Sequence, residues 1–123
     1  MGLDMYAYAA PRIWITQPVD FEFDRSLELI HYWRKHPNLH GWMEELYRTK
    51  GGAKEDFNCT PVELTLTDLE HLEADVVAGD LPMTEGFFFG ESDGSEKADD
   101  LAFIAKAREA LGEGKAVFYS SWW

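Results

Sequence analysis

The chain has 123 residues, 46% apolar and 15% aromatic, and a formal net charge of -12. This length predicts a single domain, 1–123, with one hydrophobic core, and it excludes a two-lobed kinase or dehydrogenase. The apolar content excludes a disordered chain. No apolar stretch is long enough to predict a membrane span, and the start does not resemble a secretory signal. The single cysteine, Cys59, cannot form an internal disulfide, so we expect a protein of the reducing cytoplasm.

The charge is distributed unevenly along the chain. Residues 63–113 carry 14 acidic and 3 basic side chains, whereas residues 1–62 carry 9 acidic and 7 basic ones. One side of the folded protein is therefore expected to be strongly negative. Such a surface disfavours direct binding to a nucleic-acid backbone, which requires clustered Lys and Arg. It either keeps the protein soluble or contacts a basic protein partner.

The first half of the chain predicts two strands followed by two helices. Residues 3–8 alternate as a half-buried strand does, and residues 12–16 favour a second short strand. A helix is expected to begin at Asp24, with an apolar stripe formed by Leu27, Ile30 and Trp33. Pro37 ends that helix and suits the first turn of another, whose stripe is formed by Leu39, Trp42, Met43 and Leu46.

The second half predicts alternating strands and helices. Residues 62–66 alternate as a strand, and Thr67-Asp68-Leu69-Glu70 matches a capping box that begins a helix. Residues 86–90 favour a buried strand, and Ser95 is the expected N-cap of the last helix. Residues 116–122 are strongly strand-like.

This order of elements predicts an α+β fold. We expect a two-layer domain in which helices pack on a small mixed sheet of about four to five strands. Residues 87–89, the last helix and residues 117–119 fit a right-handed parallel crossover. The final strand is expected to lie inside the sheet, where it would hold the C-terminal tryptophans. Aromatic side chains point to both faces of such a sheet, so leftover aromatic surface indicates either a homo-oligomer, which we predict, or a surface that holds a ligand.

The densest cluster of polar and aromatic side chains lies at residues 31–42. A break at Pro37 would expose backbone N–H groups at a helix N-terminus, where an anion binds readily. Arg34 would hold a phosphate or carboxylate, and aromatic rings would stack on the ligand. The predicted ligand-binding residues are Tyr32, Trp33, Arg34, Lys35, Asn38, His40 and Trp42. The alternative interpretation is that the apolar members are core and that Arg34 and Lys35 stabilise a helix C-terminus.

Other candidate chemistry is weak in this sequence. Pro37 separates His36 from His40 and disrupts the helical spacing that a zinc site would need, so we predict no metal site. The acidic segment formed by residues 91–96 with Asp99 and Asp100 is interpreted as helix capping, and Cys59 as a small core residue. The available nucleophiles are Cys59, Ser92, Ser120 and Ser121, but the sequence has no G-x-S-x-G motif. We predict no catalytic residue and no cofactor.

Five sequence blocks carry a resemblance to a known family. The blocks are Met1-Gly2-Leu3-Asp4-Met5-Tyr6, Tyr32-Trp33-Arg34-Lys35, Leu39-His40-Gly41-Trp42, Gly86-Phe87-Phe88-Phe89-Gly90 and Phe118-Tyr119-Ser120-Ser121-Trp122. In their order and spacing the chain resembles a family of small proteins encoded by tailed phages and prophages. Some members of that family carry a phosphoglycerate kinase label, but this chain is too short for two lobes and lacks a nucleotide-binding loop.

The resemblance implies an accessory protein that acts in the cytoplasm of the infected host cell. We expect a binding module without membrane contact that antagonises a host factor or defence system. It would bind a host protein or sequester a small anionic, nucleotide-like ligand. The alternatives are a minor virion component and a small hydrolase of a phosphate-containing metabolite. In such a hydrolase His40 or His31 would be the acid–base group and Arg34 the oxyanion clamp.

Overall fold

Four strands form one antiparallel sheet in the computed structural model, which describes residues 2–24, 27–86 and 89–123. The strands are β1 (Asp4–Pro11), β2 (Glu28–Arg34), β3 (Val62–Leu64) and β4 (Lys115–Trp122), in the spatial order β2-β1-β4-β3. The helices of the described chain are α1 (Pro37–Thr49), α2 (Leu66–Ala78) and α3 (Lys97–Gly112). The predicted two-layer α+β architecture is confirmed. The sheet differs from the expected mixed one, because every described strand pair is antiparallel.

The main core lies between the sheet and the helices. Leu3, Met5 and Ala7 are fully buried on the helix side, as the alternation in β1 predicts. β4 pairs with β1 on one side and with β3 on the other, so the prediction that the final strand lies inside the sheet is confirmed. In the described part of the chain, no helix has the length and apolarity that crossing a membrane requires.

The opposite face of the sheet has a smaller aromatic core. Phe118 is fully buried there between the rings of Tyr8 and Phe21. The segment between β1 and β2 contributes Phe21 and Phe23 to this cover. Tyr32 and Trp122 remain exposed beyond it, so some aromatic surface is left over as the sequence indicates.

Two predictions for the first half of the chain are wrong. Residues 12–14 form a single 3-10 turn rather than a strand, directly after the proline that ends β1. The helix expected from Asp24 is absent, because residues 28–34 form β2 and pair with β1. In β2 the buried side chains of His31 and Trp33 alternate with exposed neighbours. The apolar residues spaced by three in this segment therefore do not mark a helix.

The helix ends show why local pattern is informative but approximate. Pro37 is the first residue of α1, as predicted, and Gly79 ends α2 in the left-handed conformation with a φ of 73°. The cap of α2 is Thr65 rather than Thr67. The Thr65 hydroxyl accepts from the Asp68 N–H at 3.2 Å, and the Asp68 carboxylate accepts from the Thr65 N–H at 2.8 Å. The N-cap of α3 is Glu96, one residue after the predicted Ser95.

Two further predictions concern loops. Phe87 and Phe88 lie outside the described residues, and the neighbouring Gly86, Phe89 and Gly90 are not in a strand. The proposed parallel crossover is therefore not part of the described sheet. Cys59 is exposed, and the prediction of a core cysteine is wrong because it lies in a turn with a φ of 58°.

We expect Thr65→Ala to lower the free energy of unfolding by about 1 kcal/mol, because it removes the side-chain cap of α2. Thr67→Ala is the matched control, since Thr67 is exposed and lies inside the helix. Urea denaturation of both variants measures the effect. Equal losses in the two variants would contradict the assignment of Thr65 as the cap.

Candidate functional site

A sharp turn between β2 and α1 positions the first element of the site. Lys35 adopts a left-handed conformation, with a φ of 56°, and its N–H donates to the Leu3 carbonyl at 2.8 Å. His36 follows as the N-cap of α1, and Pro37 begins the helix. This turn directs the His36 side chain toward the first turn of α3, where it is 3% exposed.

Three side chains that are distant in sequence form a hydrogen-bonded chain at this point. His36 Nδ1 lies 2.7 Å from Ser92 Oγ, and His36 Nε2 lies 2.8 Å from Asp100 Oδ2. We refer to Ser92, His36 and Asp100 as the triad. Trp33 Nε1 donates to the other Asp100 oxygen at 3.1 Å, and the Asn38 N–H donates to Ser92 Oγ at 3.1 Å.

With a neutral imidazole, these contacts allow one consistent assignment of donors and acceptors. Ser92 Oγ accepts from the Asn38 N–H, so its own proton is available to His36 Nδ1. A neutral imidazole that accepts at Nδ1 carries its proton at Nε2, where Asp100 accepts it. The three side chains are thus arranged as a nucleophile, a base and a carboxylate that orients the base.

The surroundings stabilise the buried carboxylate of Asp100. The residue is 2% exposed and lies in the first turn of α3, where the positive end of the helix dipole favours a negative charge. The nearby Glu96 carboxylate lies 4.0 Å from His36 Nδ1. It also accepts from the Gly94 N–H at 3.0 Å, which holds the loop that carries Ser92.

A cavity of about 320 Å³ opens beside the triad. Its apolar wall comes from the end of α2 and the residues after it, namely Val76, Val77, Ala78 and Leu81. His36, Asn38, Ser92 and Asp100 line its polar side, together with Glu96 and Lys97. Its volume is within the range of sites that hold small molecules. The polar end of this cavity is the triad itself.

Most of the sequence-predicted site residues lie elsewhere. Tyr32 and Arg34 lie on the opposite face of the sheet and contact Asp4, at 2.6 Å and 2.9 Å. Their shared hydrogen bonding raises the pKa of Tyr32, mainly through Asp4, and raises that of Arg34, mainly through Tyr32. The Lys35 side chain packs against Gly2 and Gly90 instead of the cavity. Among the seven predicted residues, Asn38 alone lines the cavity.

The remaining three predicted residues are part of the core. Trp33 and Trp42 are buried, and their ring nitrogens donate to Asp100 at 3.1 Å and to Asp75 at 2.8 Å. His40 is 1% exposed, and its Nδ1 lies 2.7 Å from the hydroxyl of Tyr119. Burial lowers the pKa of His40 to about 4, against a smaller opposing effect of a backbone hydrogen bond at Phe57. These contacts agree with the alternative in which the aromatic members are core.

Sequence patterns did not predict that His36, Ser92 and Asp100 form one site, although Ser92 was among the available nucleophiles. Asp100 and Ser92 belong to the segment that was interpreted as acidic helix capping, and His36 was considered only as a metal ligand. Fifty-six residues separate Ser92 from His36 in the chain. No short motif spans that distance, so only the tertiary contact reveals the triad.

His31, the other histidine considered for acid–base chemistry, lies away from the cavity. It packs on Trp33 at a ring distance of 4.5 Å and contacts Lys106 and Asp99. Over residues 2–24, 27–86 and 89–123 the structure has no group of three or more His, Cys, Asp or Glu side chains that could hold a metal ion.

The described features define a small α+β domain with a cavity that is bordered by a Ser–His–Asp triad. Comparisons with protein-family profiles, curated proteins and solved structures found no match. The function is therefore inferred from the chemistry of the site alone.

Proposed function

We propose that the protein is a binding module that holds a small molecule in the cavity between the end of α2 and the N-termini of α1 and α3. The observation that carries the proposal is the combination of an apolar wall with a polar end whose side chains are already ordered by hydrogen bonds. Binding sites of this kind are concave, largely apolar and fitted with a few placed polar groups. Preordered polar groups also reduce the entropy lost on binding.

The charges around the cavity favour a neutral head group over an anion. Two carboxylates, Glu96 and Asp100, line the cavity with one ammonium group, that of Lys97. The Lys97 Nζ already donates to the Val77 carbonyl at 3.0 Å. The backbone N–H of Asn38 at the start of α1 is taken by Ser92. A small amide, ester or alcohol with a short apolar chain therefore fits better than the anionic, nucleotide-like ligand expected from the sequence.

Two other clefts in the described structure lack this combination. The cleft between β2 and α3 is lined largely by charged side chains, such as Glu28, Lys106 and Glu113. The cleft beside His40 is smaller, about 210 Å³. Neither cleft has a hydroxyl group at its surface that is hydrogen-bonded to a chain of two buried polar side chains.

Nuclear magnetic resonance titration with butyramide and its anionic counterpart butyrate tests the proposal. We expect butyramide at millimolar concentration to shift the amide signals of Asn38, Gly79 and Lys97, and butyrate to shift them less. Ala78→Phe fills the cavity and should abolish the butyramide response. Ala74→Phe lies one turn earlier on α2 on an exposed position and should leave it unchanged. Stronger binding of butyrate, or equal effects of the two variants, would contradict the proposal.

A second candidate function is protein docking through the acidic surface. Residues 63–113 include 14 acidic residues, and Asp100 is the buried one among them. Glu109 is exposed on α3, and Glu113 is exposed directly after that helix. This surface suits the basic protein partner expected from the charge distribution, and the phage-family resemblance would make that partner a host factor or defence protein. We expect a double variant, Glu109→Lys with Glu113→Lys, to weaken a host-protein complex more at low salt than at high salt. A complex that is insensitive to both changes would contradict this second function.

A further inference from the structure

We infer that Ser92 is a nucleophile activated by His36 and Asp100, and that the cavity accepts a small ester for acyl transfer to Ser92 and hydrolysis. This inference rests on the proposed function, because it uses the same cavity as the substrate site. It adds a reaction to that binding site and names short-chain carboxylic esters as the substrate class.

The geometry of the triad is suited to activation of the Ser92 hydroxyl. A serine hydroxyl is a weak nucleophile until a base within hydrogen-bond distance removes its proton. His36 Nδ1 lies 2.7 Å from Ser92 Oγ, and the opposite ring nitrogen lies 2.8 Å from the Asp100 carboxylate. That carboxylate holds the imidazole in the tautomer with a lone pair at Nδ1, and it stabilises the imidazolium that forms on proton transfer.

The three side chains of the triad differ in how much of their surface is exposed. His36 and Asp100 are 3% and 2% exposed, whereas Ser92 is half-buried and reaches the surface of the cavity. The base and the carboxylate are thereby shielded from water, while the hydroxyl is accessible to a molecule in the cavity. Shielding strengthens the electrostatic interactions between the three groups. The Trp33 indole N–H occupies the second carboxylate oxygen and keeps Asp100 in position.

The other serine and cysteine side chains of the described chain lack this environment. Ser95 Oγ donates to Asp93 Oδ1 at 2.6 Å and has no histidine beside it. Ser120 and Ser121 are buried in β4. The Cys59 thiol donates to Asn58 Oδ1 at 3.5 Å. Ser92 combines a histidine contact with access to a cavity.

The reaction proceeds in two balanced steps. In the first, Ser92 Oγ forms a bond to the carbonyl carbon of the ester, and its proton moves to His36 Nδ1. The bond from that carbon to the alkoxy oxygen breaks, and the proton on Nδ1 passes to the departing oxygen to give the alcohol. In the second, water attacks the acyl-serine, its proton moves to Nδ1 and then to Ser92 Oγ, and the carboxylic acid leaves.

A fluorophosphonate probe tests the inference on the full chain. Attack by Ser92 Oγ forms an oxygen–phosphorus bond and releases fluoride, and His36 takes the hydroxyl proton. We expect one covalent adduct by intact-protein mass spectrometry, located at Ser92 by peptide sequencing. We also expect hydrolysis of p-nitrophenyl butyrate. Ser92→Ala should lower both rates at least about 100-fold, which corresponds to the loss of an activated nucleophile.

Ser95→Ala is the matched control, because it removes a hydroxyl from the same loop and leaves the triad intact. It should change both rates by less than about twofold. The substitution at Ser92 removes one oxygen from a half-buried loop residue, and circular dichroism is expected to show the folded protein. The absence of an adduct on the wild-type chain would overturn the inference, as would equal labelling of the Ser92→Ala variant.

The outcomes separate the inference from the proposed function. Butyramide shifts confined to the cavity, without an adduct or ester hydrolysis, would reject the nucleophile and retain the binding module. An adduct at Ser92 without butyramide binding would retain the nucleophile and reject the binding proposal.

Discussion

Replacing Asp100 by Ala is expected to lower the free energy of unfolding by about 3 kcal/mol. Two buried donors, the Trp33 indole N–H and the His36 Nε2–H, would lose their acceptor. Each unsatisfied buried donor costs roughly 1–3 kcal/mol. Asp100 therefore stabilises the junction of β2, α1 and α3 in addition to orienting the base of the triad.

Chemical denaturation in urea measures this loss, with Asp99→Ala as the control. Asp99 precedes Asp100 in the same helical turn, but its side chain is 53% exposed. The control is expected to change stability by less than about 1 kcal/mol, as is usual for a surface contact. Asp100→Asn keeps one oxygen acceptor and should have an intermediate effect. Similar losses for Asp99→Ala and Asp100→Ala would contradict the assignment of Asp100 as a buried acceptor.

Lowering the pH from 7 to 5 is expected to remove about 2 kcal/mol of stability through His40 alone. Burial lowers the pKa of His40 to about 4 in the folded protein, whereas an unfolded chain titrates near the ordinary value of 6.5. Between these two values the unfolded state binds the proton and the folded state does not. The stability is therefore fully present above about pH 7, and it falls as the pH decreases through 6.5 toward 4.

Unfolding free energies at pH 7 and pH 5 test this prediction when they are compared among three chains. His40→Gln removes the titrating group and should flatten the pH dependence relative to the wild type. His71→Gln is the matched control, because His71 is exposed on α2 and its removal should leave the dependence unchanged. A wild-type pH dependence that persists in His40→Gln would reject the buried neutral histidine as its cause.

The two stability predictions concern two histidines with different surroundings, His36 in the triad and His40 in the core. Sequence analysis placed acid–base chemistry at His40 or His31, and the structure places a hydroxyl and a carboxylate on opposite sides of His36 instead. His40 contacts Tyr119 within the core, where it is expected to remain neutral at physiological pH. The histidine that borders the cavity beside the triad therefore has a different environment from the one that lies in the core.

Local patterns predicted many elements because their physical causes lie within a few residues. Alternation along β1 determines which side chains face the core, and Pro37 and Gly79 define helix ends through their restricted or permissive backbone angles. The predicted capping box of α2 lies two residues too late, because Thr65 and Thr67 each lie three residues before an acidic residue. β2 was predicted as a helix because its apolar spacing fits both periods, and pairing with β1 decided between them.

Residue patterns alone predicted the two-layer α+β class, the position of the final strand inside the sheet and the strongly acidic second half. These features follow from hydrophobic periodicity, strand propensity and charge, which are local or additive properties of the residues. The location of the site follows from tertiary contacts, because these join His36 at the start of α1 to Ser92 in a loop and Asp100 in α3. Hydrogen bonds of less than 3 Å between residues so far apart depend on how β2, α1 and α3 pack, and no local pattern encodes that packing.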